Sequence, residues 1–107
     1  MSEEHSTIST HVLDTGQGRP AAGVAVTLFR VLEGTERVIG GGTTNDDGRI
    51  SSLLGEPLEA GDYRIEFRLD GPFFRSAGAL FRIEDTGRSY HVPLLLAPYS
   101  VASYLGS

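Results

Sequence analysis

The sequence predicts an all-β fold, a sandwich of two sheets built from about eight short strands. Apolar and polar residues alternate over short segments, and turn residues recur at roughly 8 to 12 residue spacing. No segment repeats with the longer period of a helix. The 107 residues suit one core and are too few for two, so residues 1–107 are expected to form a single domain.

The first strand runs from Thr7 to Leu13 and stops where glycine and proline punctuate the chain, at Asp14-Thr15-Gly16-Gln17-Gly18-Arg19-Pro20. A second strand, Val24 to Leu32, follows Gly23. The third, Arg37 to Thr44, carries Gly40-Gly41-Gly42. A strand gives up side chains in this way where a bulge or a close backbone approach needs the space.

Asn45-Asp46-Asp47-Gly48 is a turn, and a short strand from Arg49 leads through Gly55-Glu56-Pro57 into Tyr63 to Leu69. There the alternation is cleanest: Tyr63, Ile65, Phe67 and Leu69 share the core face, with charges opposite. The segment Phe73 to Ala77 is ambiguous, Ala79 to Glu84 reads as a strand, and Asp85-Thr86-Gly87 turns the chain. In the last strand, Ser89 to Leu96, one face carries Tyr90, Val92, Leu94 and Leu96 and the other His91, Pro93 and Leu95. Pro93 cannot donate to a ladder, so this strand lies at an edge or is interrupted there. Two four-stranded sheets packed face to face would accommodate these elements.

Nine arginines, no lysine and fourteen acidic residues give a net charge of -5, with no basic stripe to neutralise phosphates. Nucleic acid is therefore not an expected partner. Without cysteine there is no disulfide frame, thiolate nucleophile or Cys-type zinc site. The opening MSEEHSTIST lacks the basic and apolar stretches of a secretory signal, and no run approaches the roughly 20 apolar residues of a membrane helix. A cytoplasmic location without membrane contact is the expectation. Asp46 and Asp47 lack the spaced oxygen ligands of a calcium loop, so neither metal nor cofactor is expected.

The histidines are His5, His11 and His91. His5 lies in a polar stretch and reads as solvated. His11 and His91 each fall inside a β segment, where an imidazole needs a hydrogen-bonding reason to be present. Such a residue serves structure or catalysis, and the residues alone leave both open. Gly18-Arg19-Pro20-Ala21-Ala22-Gly23-Val24 and Thr44 to Gly48 are turns shared by many prealbumin-like sandwiches, and they specify architecture better than activity.

Four segments together carry a narrower resemblance: Ser9-Thr10-His11-Val12-Leu13-Asp14-Thr15, the Gly18 to Val24 turn, Asn45 to Arg49, and Tyr90-His91-Val92-Pro93-Leu94-Leu95-Leu96. They resemble the 5-hydroxyisourate hydrolase family, the transthyretin-related enzymes, over nearly the whole chain. The resemblance implies a transthyretin-like sandwich assembled as a homotetramer, a dimer of dimers, with sites in a channel across the interface. It implies a small-molecule substrate, 5-hydroxyisourate, whose ring water opens at a carbonyl. It also implies a catalytic set of His11, Arg49, His91 and Ser107, and substrate contacts from Tyr104, Leu105 and Gly106. An imidazole near neutrality accepts a proton from attacking water. A guanidinium holds an anion or a developing oxyanion.

The match departs at two places. Leu105 stands where the family's Tyr-Arg-Gly-Ser ending has arginine, with Val101 and Ala102 at two further positions that are polar in the family. The connection between Leu69 and Leu80 is also shorter than the family's. Leucine donates no hydrogen bond. Three functions therefore stay open: hydrolysis of 5-hydroxyisourate, action on another cyclic amide-type or less anionic substrate, and non-catalytic binding of a small ligand.

Overall fold

A computed structural model describes residues 6–107 and shows ten strands in two sheets. In chain order they are β1 Ile8–Asp14, β2 Arg19–Pro20, β3 Ala25–Leu32, β4 Thr35–Thr43, β5 Arg49–Ile50, β6 Gly61–Arg68, β7 Ser76–Ile83, β8 Tyr90–His91, β9 Leu94–Ala97 and β10 Ser100–Ser103. Among the described residues there is no helix. One sheet runs β4-β3-β6-β7, antiparallel throughout. The other runs β10-β9-β1-β2, with β5 and β8 also pairing with β1.

The expected pair of four-stranded sheets is thus corrected to one of four strands and one of six. The additional strands are short. β2 lies inside the segment expected to be only a turn, and it pairs through Leu13↔Pro20 and Asp14↔Arg19. β10 follows the predicted last strand, which breaks at Pro93 into β8 and β9, the interruption that its missing N–H allows. The ambiguous Phe73 to Ala77 divides: Phe73 and Phe74 stay in the connection, and β7 begins at Ser76. His5 lies outside the described residues.

Period-two alternation builds the core. Ile8 and Val12 from β1, Val26 and Leu28 from β3, and Tyr63, Ile65 and Phe67 from β6 meet between the sheets, all buried. Leu69, Tyr90, Val92 and Leu94 close the cluster. Burying each of the larger of these side chains contributes about 1.5–3 kcal/mol. Arg30, also on the inward face of β3, is only 8% exposed. It donates to Glu59 Oε1 at 2.8 Å and to the Ala60 carbonyl at 2.7 Å, while its guanidinium lies over the Tyr63 ring.

The glycine run in β4 has a steric cause. A Cβ on Gly40 would stand 1.7 Å from the Leu53 carbonyl oxygen, because the chain after β5 crosses that edge and pairs Gly40 with Leu54. Next to it the β3–β4 ladder shifts register between Leu28 and Phe29. Both predicted uses of the space, a bulge and a close approach, occur together. The hairpin joining β3 to β4 turns on Glu33 and Gly34, both at positive φ, the geometry that two-residue hairpin turns require.

Thr44 joins the two turn motifs. Its hydroxyl donates to the Ala21 carbonyl at 2.8 Å and accepts from the Val24 N–H at 2.9 Å. The Gly18 to Val24 and Thr44 to Gly48 segments are thus parts of one corner, which fixes where the next residue, Arg49, emerges.

Candidate functional site

β1 is the hub on which the site assembles. Ile8, Thr10 and Val12 point into the core, so Ser9, His11 and Leu13 lie on the outer face of the sheet. Thr10 is tied on the inner side, its hydroxyl donating to the Val92 carbonyl at 2.6 Å. On one edge of β1, antiparallel pairing sets Arg49 of β5 opposite His11. On the other edge, parallel pairing sets His91 of β8 beside Ser9. Paired residues share a face, so three nitrogenous side chains from distant parts of the sequence stand together.

The turn before β5 delivers Arg49. The Asn45 side-chain oxygen accepts from the Asp47 and Arg49 N–H groups at 2.9 and 3.0 Å. Gly48, at φ +74°, packs where a Cβ would be 2.5 Å from the Val12 carbonyl oxygen. Among the described residues, no carboxylate pairs with the Arg49 guanidinium, and none is hydrogen-bonded to His11 or His91. The face is left cationic and open to an anion.

His91 is the most constrained of the three. Its Nδ1 lies 2.9 Å from the Ser9 hydroxyl. On the other side the chain tail returns antiparallel, Gly106 donating its N–H to the His91 carbonyl at 2.7 Å. A Cβ on Gly106 would be only 2.7 Å from the His91 Cδ2, so the ring is wedged between serine and glycine. Burial first, and then the positive charges of Arg49 and His11, hold His91 below the ordinary imidazole value of 6.5. At neutral pH it is therefore an uncharged base.

Ser107 follows Gly106 on this returning tail. Tyr104 and Leu105 instead line a separate cavity of about 240 Å³, together with Phe81, Tyr90 and Val92, at the side of the sandwich where β7 and the tail approach. They are 54% and 61% exposed. Within one chain, then, His11, Arg49, His91 and Gly106 come together, and Tyr104 and Leu105 face elsewhere. Ser9, within the motif that holds His11, has no role predicted from sequence. Its signal is a hydroxyl two residues before His11, hence on the same face of the same strand.

The profile of the HIUase/Transthyretin family matches residues 8–106. The chain belongs to this family. It is 38% identical to the 5-hydroxyisourate hydrolase of Ralstonia nicotianae, across 94% of this chain and 97% of that one. Among solved structures, the 5-hydroxyisourate hydrolase of Klebsiella pneumoniae superposes with a TM-score of 0.81 at 35% identity, covering 95% of this chain and 99% of that chain. Sea bream transthyretin, solved in complex with thyroxine, superposes with a TM-score of 0.84 at 29% identity, covering 92% and 93%. The all-β sandwich expected from the sequence is the transthyretin-like fold of this family.

Proposed function

We propose that this member of the HIUase/Transthyretin family hydrolyses 5-hydroxyisourate in urate breakdown, with His11, Arg49, His91 and Ser107 as its catalytic set. The carrying observation is the ladder register that sets His91, whose midpoint burial lowers, on one open face with His11 and an Arg49 guanidinium that pairs with no carboxylate among the described residues. The near full-length likeness to hydrolases of that name supports the same substrate.

The step balances on these groups. His91 takes a proton from water, and the hydroxyl oxygen bonds to the ring carbonyl carbon. Arg49 stabilises the oxyanion that results, and holds the anionic ring beforehand. The ring carbon–nitrogen bond breaks as His91 returns its proton to the departing nitrogen. His11, next to Arg49, offers a further nitrogen toward the substrate, and Ser107 supplies a hydroxyl from the returning tail. Tyr104, Leu105 and Gly106 bound the substrate in an assembled homotetramer, a cytoplasmic dimer of dimers.

Freshly generated 5-hydroxyisourate loses its ultraviolet absorbance faster with this protein than without it, and His91→Ala and Arg49→Ala each remove most of that acceleration. No acceleration at micromolar protein overturns the proposal. Leu105 favours one alternative, a less anionic ring as substrate, because an exposed apolar side chain stands at the tail position where the resemblance implies an arginine.

A further inference from the structure

We propose that Ser9 is a positioning residue for His91: its hydroxyl accepts the Nδ1–H proton of the imidazole, which leaves Nε2 bare as the nitrogen that takes the proton of water. The inference rests on His91 being the base of the proposed hydrolysis and adds which of its nitrogens acts, and why.

A neutral imidazole carries one N–H, and the partner of that nitrogen decides which nitrogen keeps its lone pair. The only hydrogen bond of the His91 ring among the described residues is the 2.9 Å contact from Nδ1 to Ser9 Oγ. The ladder makes this contact rigid. The Tyr90 N–H donates to the Thr7 carbonyl at 2.8 Å and the Val92 N–H to the Ser9 carbonyl at 2.9 Å, so both neighbours of His91 are pinned to β1.

The opposite edge of the ring is equally restricted. Gly106 packs against Cδ2 so closely that a Cβ would stand 2.7 Å away. Rotating the ring by half a turn would break the Ser9 bond and press a polar nitrogen against the glycine. One orientation remains. The charged groups facing His91 choose the tautomer within it: Arg49 from β5 and His11 from β1. On a face already carrying the Arg49 guanidinium, a lone pair at Nε2 is favoured over a second outward N–H dipole.

Two experiments decide this on the 107-residue protein. In ¹⁵N-resolved histidine spectra at pH 7.5, where the ring is neutral, His91 shows a protonated Nδ1 and an unprotonated Nε2. A protonated Nε2 overturns the assignment, whether or not the protein turns over 5-hydroxyisourate. In kinetics, Ser9→Ala lowers kcat about 10- to 100-fold, the range seen when partners that orient metal-bound histidines are removed. KM stays within about twofold, and Ser9→Thr, which keeps the hydroxyl on a strand-compatible side chain, returns kcat to within about threefold of the parent. An unchanged kcat in Ser9→Ala, or a loss that threonine does not reverse, overturns the role of the hydroxyl. Absence of hydrolysis by the parent protein removes the proposed substrate while the spectra still decide the tautomer.

Discussion

Gly106→Ala isolates the contribution of the tail to catalysis. The glycine is not at positive φ, so alanine adopts its backbone conformation without strain. What changes is contact. The new Cβ would meet His91 Cδ2 at 2.7 Å, and ordinary contact begins at 3.4 Å, so ring and tail must part by about 0.7 Å. The backbone bond from Gly106 to the His91 carbonyl resists movement of the tail, which directs the displacement into the imidazole. A misplacement of about 1 Å at a reacting group costs up to about 100-fold in rate. The expected fall in kcat for 5-hydroxyisourate is therefore about 10- to 100-fold, or about 1.4–2.7 kcal/mol in the barrier. Because Gly106 lies beyond the last strand and outside the core, stability falls by less than about 1 kcal/mol, and Tm by less than about 8 °C. Ultraviolet decay of the substrate and a thermal melt measure the two quantities. A kcat within threefold of the parent, or a loss of rate that tracks a comparable loss of stability, refutes the reasoning.

Three more perturbations test other parts of the molecule. His91 is held neutral, so the fraction of active base and the stability linked to it are full above pH 6.5 and are lost as pH falls through its lowered midpoint. Arg49→Gln removes the guanidinium that faces His91 and raises that midpoint. Burial, the larger cause, still keeps it below 6.5 in an NMR titration, and a midpoint that does not move contradicts the electrostatic account. Gly40→Ala drives a Cβ into the Leu53 carbonyl and separates β4 from the segment after β5. Urea unfolding should show a loss of about 3 kcal/mol, from overpacking and a broken backbone contact, and a loss under about 1 kcal/mol contradicts the close approach. Leu105→Arg restores a charge-assisted donor on the tail and raises kcat/KM for 5-hydroxyisourate about tenfold. A fall instead identifies a less anionic ring as the substrate.

The faces of the strands were legible because side-chain direction alternates with period two whatever the tertiary fold. Tyr63, Ile65, Phe67 and Leu69 are buried as that rule requires. The glycine run announced a need for space, but the occupant, Leu53, approaches from a part of the chain that no local pattern connects to Gly40. The short strand from Arg49 was read and is β5, but β2 and β8 were not separable as strands: each is two residues long and exists only through its bonds to β1. Pro93 permitted either an edge or a break, and only the positions of β8 and β9 along β1 choose the break.

The site was legible in part. His11, Arg49 and His91 carried motif context, and the ladder register brings them together. Ser9 stood in the same motif as His11 but had no role attached to it, since a strand serine facing outward looks like any solvated residue until its neighbour is known. Tyr104 and Leu105 were grouped with Gly106 through the family's Tyr-Arg-Gly-Ser ending, yet of these three Gly106 alone packs against His91.

The alternation along β1 has an evolutionary consequence. Residues whose loss would open the core and residues whose change would alter the chemistry occupy the same seven-residue strand but opposite sides of it. Substitution at Ser9 or His11 leaves Ile8 and Val12 and their contacts in place, so such a chain can abandon one activity and explore another at nearly constant melting temperature. A frame built this way is free to diverge in what it binds long before it diverges in shape, as the close superposition on a thyroxine-bound transthyretin illustrates.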